Sequence, residues 1–168
     1  SVTPSFTYKG FTLSALFDMK FGGDVVSVSE AIATSHGISK RTEQRGELLL
    51  PGMNEDGTVN TQRIDAQLFY QAVGGRQQAV AEEFVYNASF IRLKEISFGY
   101  SFPSLLLRKT PVSSLRVSFV GRNLAYLMKH TPGTSPEGGY DTSMFSQALD
   151  FSSLPYSRTF GFSINVGF

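Results

Sequence analysis

Ser157-Arg158-Thr159-Phe160-Gly161-Phe162-Ser163-Ile164-Asn165-Val166-Gly167-Phe168 is the stretch on which the reading of this chain turns. Its even positions from 160 onward are all apolar (Phe160, Phe162, Ile164, Val166, Phe168). The odd ones from 159 are small or polar (Thr159, Gly161, Ser163, Asn165, Gly167). Successive side chains of a strand point to opposite faces, so this segment has one large apolar face and one small, wettable face. Such a strand fits a barrel with lipid outside and a polar lumen inside. The pattern predicts a terminal strand starting at about residue 156.

The same alternation recurs upstream. Val2, Phe6 and Tyr8 alternate with polar residues, but Pro4 cannot donate to a ladder and marks that strand as an edge or a truncated end. In residues 11–21, Phe11, Leu13, Ala15, Phe17, Met19 and Phe21 share one face, with Leu16 the exception on the other. That length matches the roughly 9–11 residues of a tilted membrane-crossing strand. A third strand over 90–102 alternates well in its second half (Ile96, Phe98, Tyr100, Phe102). Its first half has the opposite phase, which predicts a bulge or a departure from the apolar zone near Leu93. The fourth, over 114–124, opposes Leu115, Val117 and Phe119 to Arg116, Ser118 and Arg122, and Val120 blurs it.

Connections alternate in length. Residues 7–10 and 104–113 are short, whereas 22–87 and 125–155 are long. Outer-membrane barrels have short periplasmic turns and longer extracellular loops. The expected architecture is therefore all-β: an antiparallel transmembrane β-barrel segment of about five strands with two long extracellular loops carrying short helices. Ser27-Val28-Ser29-Glu30 fits a capping box, with Gly37 as the stop. A second short helix is expected over 64–73, halted by Gly74-Gly75, with turns at Pro51-Gly52 and Asp56-Gly57.

Composition narrows the function. Of 168 residues, 41% are hydrophobic and 17% charged, the latter well below the roughly 25% of soluble domains. A net charge of +1 offers no basic face for phosphates and argues against nucleic acid. The absence of Cys removes disulfides, thiolate metal sites and thiol nucleophiles. No apolar run of about 18 residues encodes a membrane-spanning helix. No secretory signal opens the sequence, so a barrel reading expects a longer protein of which this is the C-terminal part.

His36 and His130 lie far apart without spaced carboxylates, and no metal or cofactor is expected. Residues 54–60 gather oxygen donors around Gly57, but Asp65 falls where a calcium loop needs Glu, so a polar turn is the reading. Glu82-Glu83 point apart rather than flanking a sugar bond. No catalytic motif is present, and the chain is read as no enzyme.

Tyr8-Lys9-Gly10-Phe11-Thr12-Leu13-Ser14, Phe21-Gly22-Gly23-Asp24, Ser89-Phe90-Ile91-Arg92-Leu93-Lys94-Glu95-Ile96-Ser97-Phe98-Gly99-Tyr100-Ser101-Phe102-Pro103, Gly121-Arg122-Asn123-Leu124 and the ending from Arg158 come in an informative order. Together they resemble the C-terminal barrel region of SusC/RagA-type TonB-dependent outer-membrane transporters. Where that family often carries Asp-Pro-Glu in its last long loop, this chain has Ser135-Pro136-Glu137.

The resemblance implies a barrel of about 22 strands around a plug, located in the bacterial outer membrane. It also implies a SusD-like surface lipoprotein as lid, and energy from the TonB complex reached through parts outside this chain. The function it implies is import of oligosaccharides or peptides, with this chain forming wall and rim. A passive porin-like or structural barrel is the alternative.

By alternation Arg116 and Arg122 should face the lumen, because a charge on the lipid face near the midplane costs roughly 2–4 kcal/mol. Tyr126, Tyr140 and Phe145 are expected in or beside the last loop, as ligand or partner contacts, interfacial aromatics, or a small loop core. Phe160, Phe162, Ile164, Val166 and Phe168 contact outer-membrane lipid on this reading. They also carry the signal that the resemblance implies is read by the barrel-assembly machinery.

Overall fold

The computed structural model describes residues 1–75, 80–140, 143 and 146–168. Its strands are β1 Ser5–Tyr8, β2 Phe11–Lys20, β3 Asp24–Ser27, β4 Glu47–Leu49, β5 Arg63–Asp65, β6 Val85–Asn87, β7 Phe90–Ser101, β8 Ser114–Lys129, β9 Leu149–Asp150 and β10 Thr159–Gly167. The helices are α1 Val28–Ser35, α2 Ala66–Val73 and the single turn α3 Ser104–Leu107. Two compact units result. One combines Ser1–Gly22, Ser89–His130 and Tyr156–Phe168, the other Gly23–Ala88 and Thr131–Pro155.

The first unit is a five-stranded antiparallel sheet in the order β1-β2-β7-β8-β10. Its register carries the terminal alternation across every strand. Phe162 pairs with Phe119, Phe119 with Phe98, Phe98 with Leu13 and Leu13 with Phe6. The next apolar row is Ile164, Val117, Tyr100, Phe11 and Tyr8. Between them runs a small polar row of Ser163, Ser118, Gly99, Thr12 and Thr7, on the opposite face.

Val120 sits in a second polar row, with Gly161, Ser97, Ser14 and Ser5, as its phase requires. Aromatic contacts knit the apolar face: Phe119 lies 5.3 Å from Phe162 and Phe11 5.8 Å from Phe98. Each such pair adds about 0.5–1.5 kcal/mol beyond area burial. The face nevertheless stays open, with Phe162 81% and Phe6 67% exposed. A contiguous apolar surface of this kind marks contact with an apolar medium or partner.

Lys9 and Gly10 both have positive φ (45° and 87°), the geometry of a two-residue hairpin turn that matches strand twist. A Cβ on Gly10 would fall 2.7 Å from the Ser101 carbonyl, so close packing as well as φ selects glycine.

The phase switch in β7 is a bulge. Leu16 faces Glu95 and Phe17 faces Leu93, which skips Lys94. On β8, Asn123 and Leu124 intervene between the partners of Glu95 and Leu93, with Asn123 at φ 54°. The extra residue keeps Ile91 and Leu93 beside Met19 and Phe17 on the apolar face and sets Arg92 beside Asp18 on the polar one.

Three boundaries move. β8 continues to Lys129 because Ala125, Tyr126 and Met128 still pair with Leu93, Arg92 and Ile91, so the last loop starts at His130 and Tyr126 is a strand residue. β10 starts at Thr159, opposite Arg122, rather than at 156. Helix α2 begins at Ala66, since Ile64 pairs with Leu48 in the β4–β5 hairpin and Asp65 caps the helix.

In the second unit, β3 lies between antiparallel β6 and parallel β9. The two long connections are thereby joined, with Val26 opposite Leu149. Ser27 caps α1, its hydroxyl accepting from the Glu30 amide at 3.1 Å. The reciprocal half of the capping box is replaced: the buried Glu30 carboxylate takes the Ser39 hydroxyl instead. Val25, Ala31, Leu48, Ala66, Phe84 and Ala88 form a small apolar core, to which buried Thr34, Thr42 and Asp150 add polar atoms.

Candidate functional site

On the loop side of the bulge the polar face of the sheet carries a cluster of charged and aromatic side chains. Asp18 on β2, Arg92 on β7 and Tyr126 on β8 stand side by side in one row. The Asp18 Oδ2 atom is 3.5 Å from Arg92 Nη2 and 3.2 Å from Lys94 Nζ, while Oδ1 accepts from the Ser1 hydroxyl at 2.8 Å. Arg92 is only 4% exposed. Its guanidinium lies 5.7 Å from the Tyr126 ring centre and 4.8 Å from that of Tyr156.

Phe90 meets Tyr126 edge-on at 6.0 Å, and Lys129 Nζ approaches the same ring at 5.6 Å. A guanidinium near the rings of both Tyr126 and Tyr156, paired with a carboxylate it shares with Lys94, sets two aromatic rings beside charge. Such surfaces can stack on sugar rings or planar peptide groups and present phenol hydroxyls to them.

Arg122 lies nearer the short turns on the same face. Its Nε donates to Glu95 Oε2 at 2.8 Å across the β7–β8 pair. Arg116, exposed on β8, stands between Asn165 and Ser101 in the ladder, its side chain running over Gly99. The two arginines therefore share a face with the serine rows, whereas Phe160, Phe162, Ile164 and Val166 lie on the opposite, apolar face. Phe168 is 88% exposed beyond the end of β10.

In the second unit, Tyr140 packs edge-on against Phe151 at 5.4 Å. Phe145 lies outside the described residues. Sequence reasoning missed Tyr156 as a partner of Arg92, and Asp18 as the anion that holds it. The available signal was the opposite charge of Asp18 and Arg92 at polar-phase positions of two strands.

The second unit also contains a cleft of about 610 Å³ lined by Glu30, Ile38, Lys40, Arg41, Glu83, Tyr86 and the Pro132–Thr134 backbone region among others. Arg41 pairs with Glu83 at 2.9 Å and lies 5.2 Å from the Phe84 ring centre. Burial, and secondarily the Glu30 carboxylate, pushes the Tyr86 phenol up, so it stays a neutral donor. The cleft is of ligand-pocket size. Among the described residues no group of His, Cys, Asp and Glu is placed to hold a metal ion, and no helix is long and apolar enough to cross a membrane.

No protein-family profile matches the chain. The chain is 29% identical over 179 aligned residues to TonB-dependent receptor P3 of Formosa agariphila, covering 99% of the chain and 16% of that protein. Among solved structures, that of the RagAB peptide importer in the open-open state superposes with a TM-score of 0.63 at 20% identity, over 99% of this chain and 16% of that one. A structure of the RagAB peptide transporter gives 0.63 at 22% identity, over 98% and 16%. The chain thus spans about one sixth of the length of the relatives it matches.

Proposed function

We propose, from the premise that this chain is a barrel region of a SusC/RagA-type TonB-dependent receptor of the bacterial outer membrane, that the full-length protein imports oligosaccharides or peptides across that membrane with energy delivered through TonB. The observation that carries the proposal is the two-faced sheet, whose aromatic and aliphatic rows on one side are matched by serine, threonine and arginine rows on the other. A wall of that kind meets lipid outward and keeps a hydrated path inward.

This chain is C-terminal wall and rim, and the moving plug and remaining strands belong to the rest of the protein. Arg116 and Arg122 line the lumen. The Arg92–Tyr126–Tyr156 group gives passing cargo flat surfaces next to fixed charge. The joined long connections, Tyr140 among them, form rim on the extracellular side, where a SusD-like lipoprotein captures cargo and closes the mouth. Support for peptide cargo comes from the likeness to an importer of peptides, and for glycans from the family resemblance. Phe160 to Phe168 also present the assembly signal to the barrel-assembly machinery.

Uptake of labelled oligosaccharides and peptides should be measured in cells carrying the full gene, cells lacking it, and cells lacking TonB. Loss of uptake of one cargo class in both deletions is the expected result. Uptake that depends on the gene but survives without TonB would overturn energised import and favour a passive pore.

A further inference from the structure

The charge of the chain is divided unevenly. The sheet unit holds ten Lys and Arg against only Asp18 and Glu95, a formal +8, and the remainder of the chain offsets it to +1. Both sheet carboxylates lie at or beyond the bulge. No Asp or Glu occurs in residues 1–17, 96–136 or 151–168. The short-turn end of the sheet is therefore exclusively cationic in its side chains, with Lys9, Arg108 and Lys109 all exposed.

The ladder sets the two short connections side by side. The Gly10 carbonyl accepts from the Ser101 amide at 2.8 Å, which sets the Lys9-Gly10 turn beside the start of the β7–β8 connection. That connection carries Leu105 and Leu106, 71% and 66% exposed, separated by one residue from Arg108 and Lys109. The apolar face runs up to its start at Phe102. Phe11 lies 4.5 Å from Tyr100, Tyr100 lies 4.9 Å from Phe102, and Lys9 Nζ stands 5.3 Å from the Tyr8 ring. Aromatics at the end of an apolar face, with exposed leucines and cations in the connection next to it, are the residue types that occupy the boundary between hydrocarbon and headgroups.

We infer that the β7–β8 connection is a phospholipid-docking surface. Leu105 and Leu106 enter the periplasm-facing leaflet, while Arg108 and Lys109, with Lys9 of the adjacent turn, bind anionic phosphate headgroups. This deepens the proposed function and rests on the outer-membrane reading of the apolar face. Each cation near an anionic surface contributes to binding, and a leucine pair alone would show no headgroup preference.

The test uses the full-length protein extracted in mild detergent, with phosphatidylglycerol and phosphatidylethanolamine competing for it and bound lipid read by native mass spectrometry. Enrichment of phosphatidylglycerol is expected to fall by about fivefold per charge removed in R108Q and K109Q, and to persist in the R108K/K109R protein. Unchanged enrichment in the R108Q/K109Q double variant, or equal loss in R108K/K109R, would overturn the inference. Recovery of the full-length wild type without detergent would instead overturn the outer-membrane reading on which it rests.

Discussion

Ser27 donates its hydroxyl to Asp150 Oδ2 at 2.7 Å across 123 positions of chain, and both residues are buried. Ser27 Oγ also accepts from the Glu30 amide, so one side chain both caps α1 and ties the two long connections together. Ser27→Ala should therefore cost more than an ordinary cap. The cap itself is worth about 1 kcal/mol, and leaving the Asp150 carboxylate buried without that donor adds about 1–3 kcal/mol. Faster amide exchange in α1 and β9 of the full-length protein, with the sheet unaffected, is the expected readout.

Neighbouring residues of β10 offer a direct assay of the two faces. Phe162→Lys places a charge in the Phe119–Phe98 row and should cost about 2–4 kcal/mol if that row meets the hydrocarbon midplane. Ser163→Lys, one residue on, enters the serine row and should leave assembly near wild type. Quantifying the full-length protein in outer-membrane fractions compares the two, and equal levels would contradict the assignment of faces.

The Arg122–Glu95 pair is short but open, with side chains 64% and 34% exposed. Solvent screening should limit its coupling to less than about 1 kcal/mol. A double-mutant cycle with Arg122→Ala and Glu95→Ala, read from unfolding of the full-length protein in detergent, measures it. A coupling of several kcal/mol would place the pair in a far drier setting than its exposure indicates.

Asp56 links the turn at residues 54–58 to pH. The Thr58 hydroxyl and then its amide donate to Oδ1 at 2.6 and 2.9 Å, holding this carboxyl below its ordinary value of 3.8. Because the folded value is depressed, the turn gains from the ionised form above pH 3.8 and loses that gain as pH falls through the lower folded value. A titration of the Thr58 amide signal should show the turn loosening only in acid. Asp56→Ala should abolish the acid step.

The terminal alternation made the faces legible because a period of two survives in each strand separately. The bulge was legible as a change of phase between Leu93 and Glu95. What the sequence hid were relations between segments. Nothing local to Asp18 names Arg92 as its partner, since register between β2 and β7 is set across more than 70 residues. Tyr126 read as loop because the alternation of the fourth strand fades after Arg122; the structure spends Asn123, at positive φ, and Leu124 on a bulge and then resumes pairing at Ala125. The parallel β3–β9 pair was invisible because two-residue strands have no period to detect.

The pairing of Phe90 with Lys129 also orders events in time. Val26 and Leu149 must meet across a stretch of chain long enough to make closure slow on its own. Once β2 and β8 have both paired with β7, Lys20, Phe90 and Lys129 lie side by side, which leaves short stretches of chain between that row and both Val26 and Leu149, and the remaining search is much shorter. The second unit should therefore consolidate only after these three strands have paired, so protection at Val26 serves as a clock for their assembly.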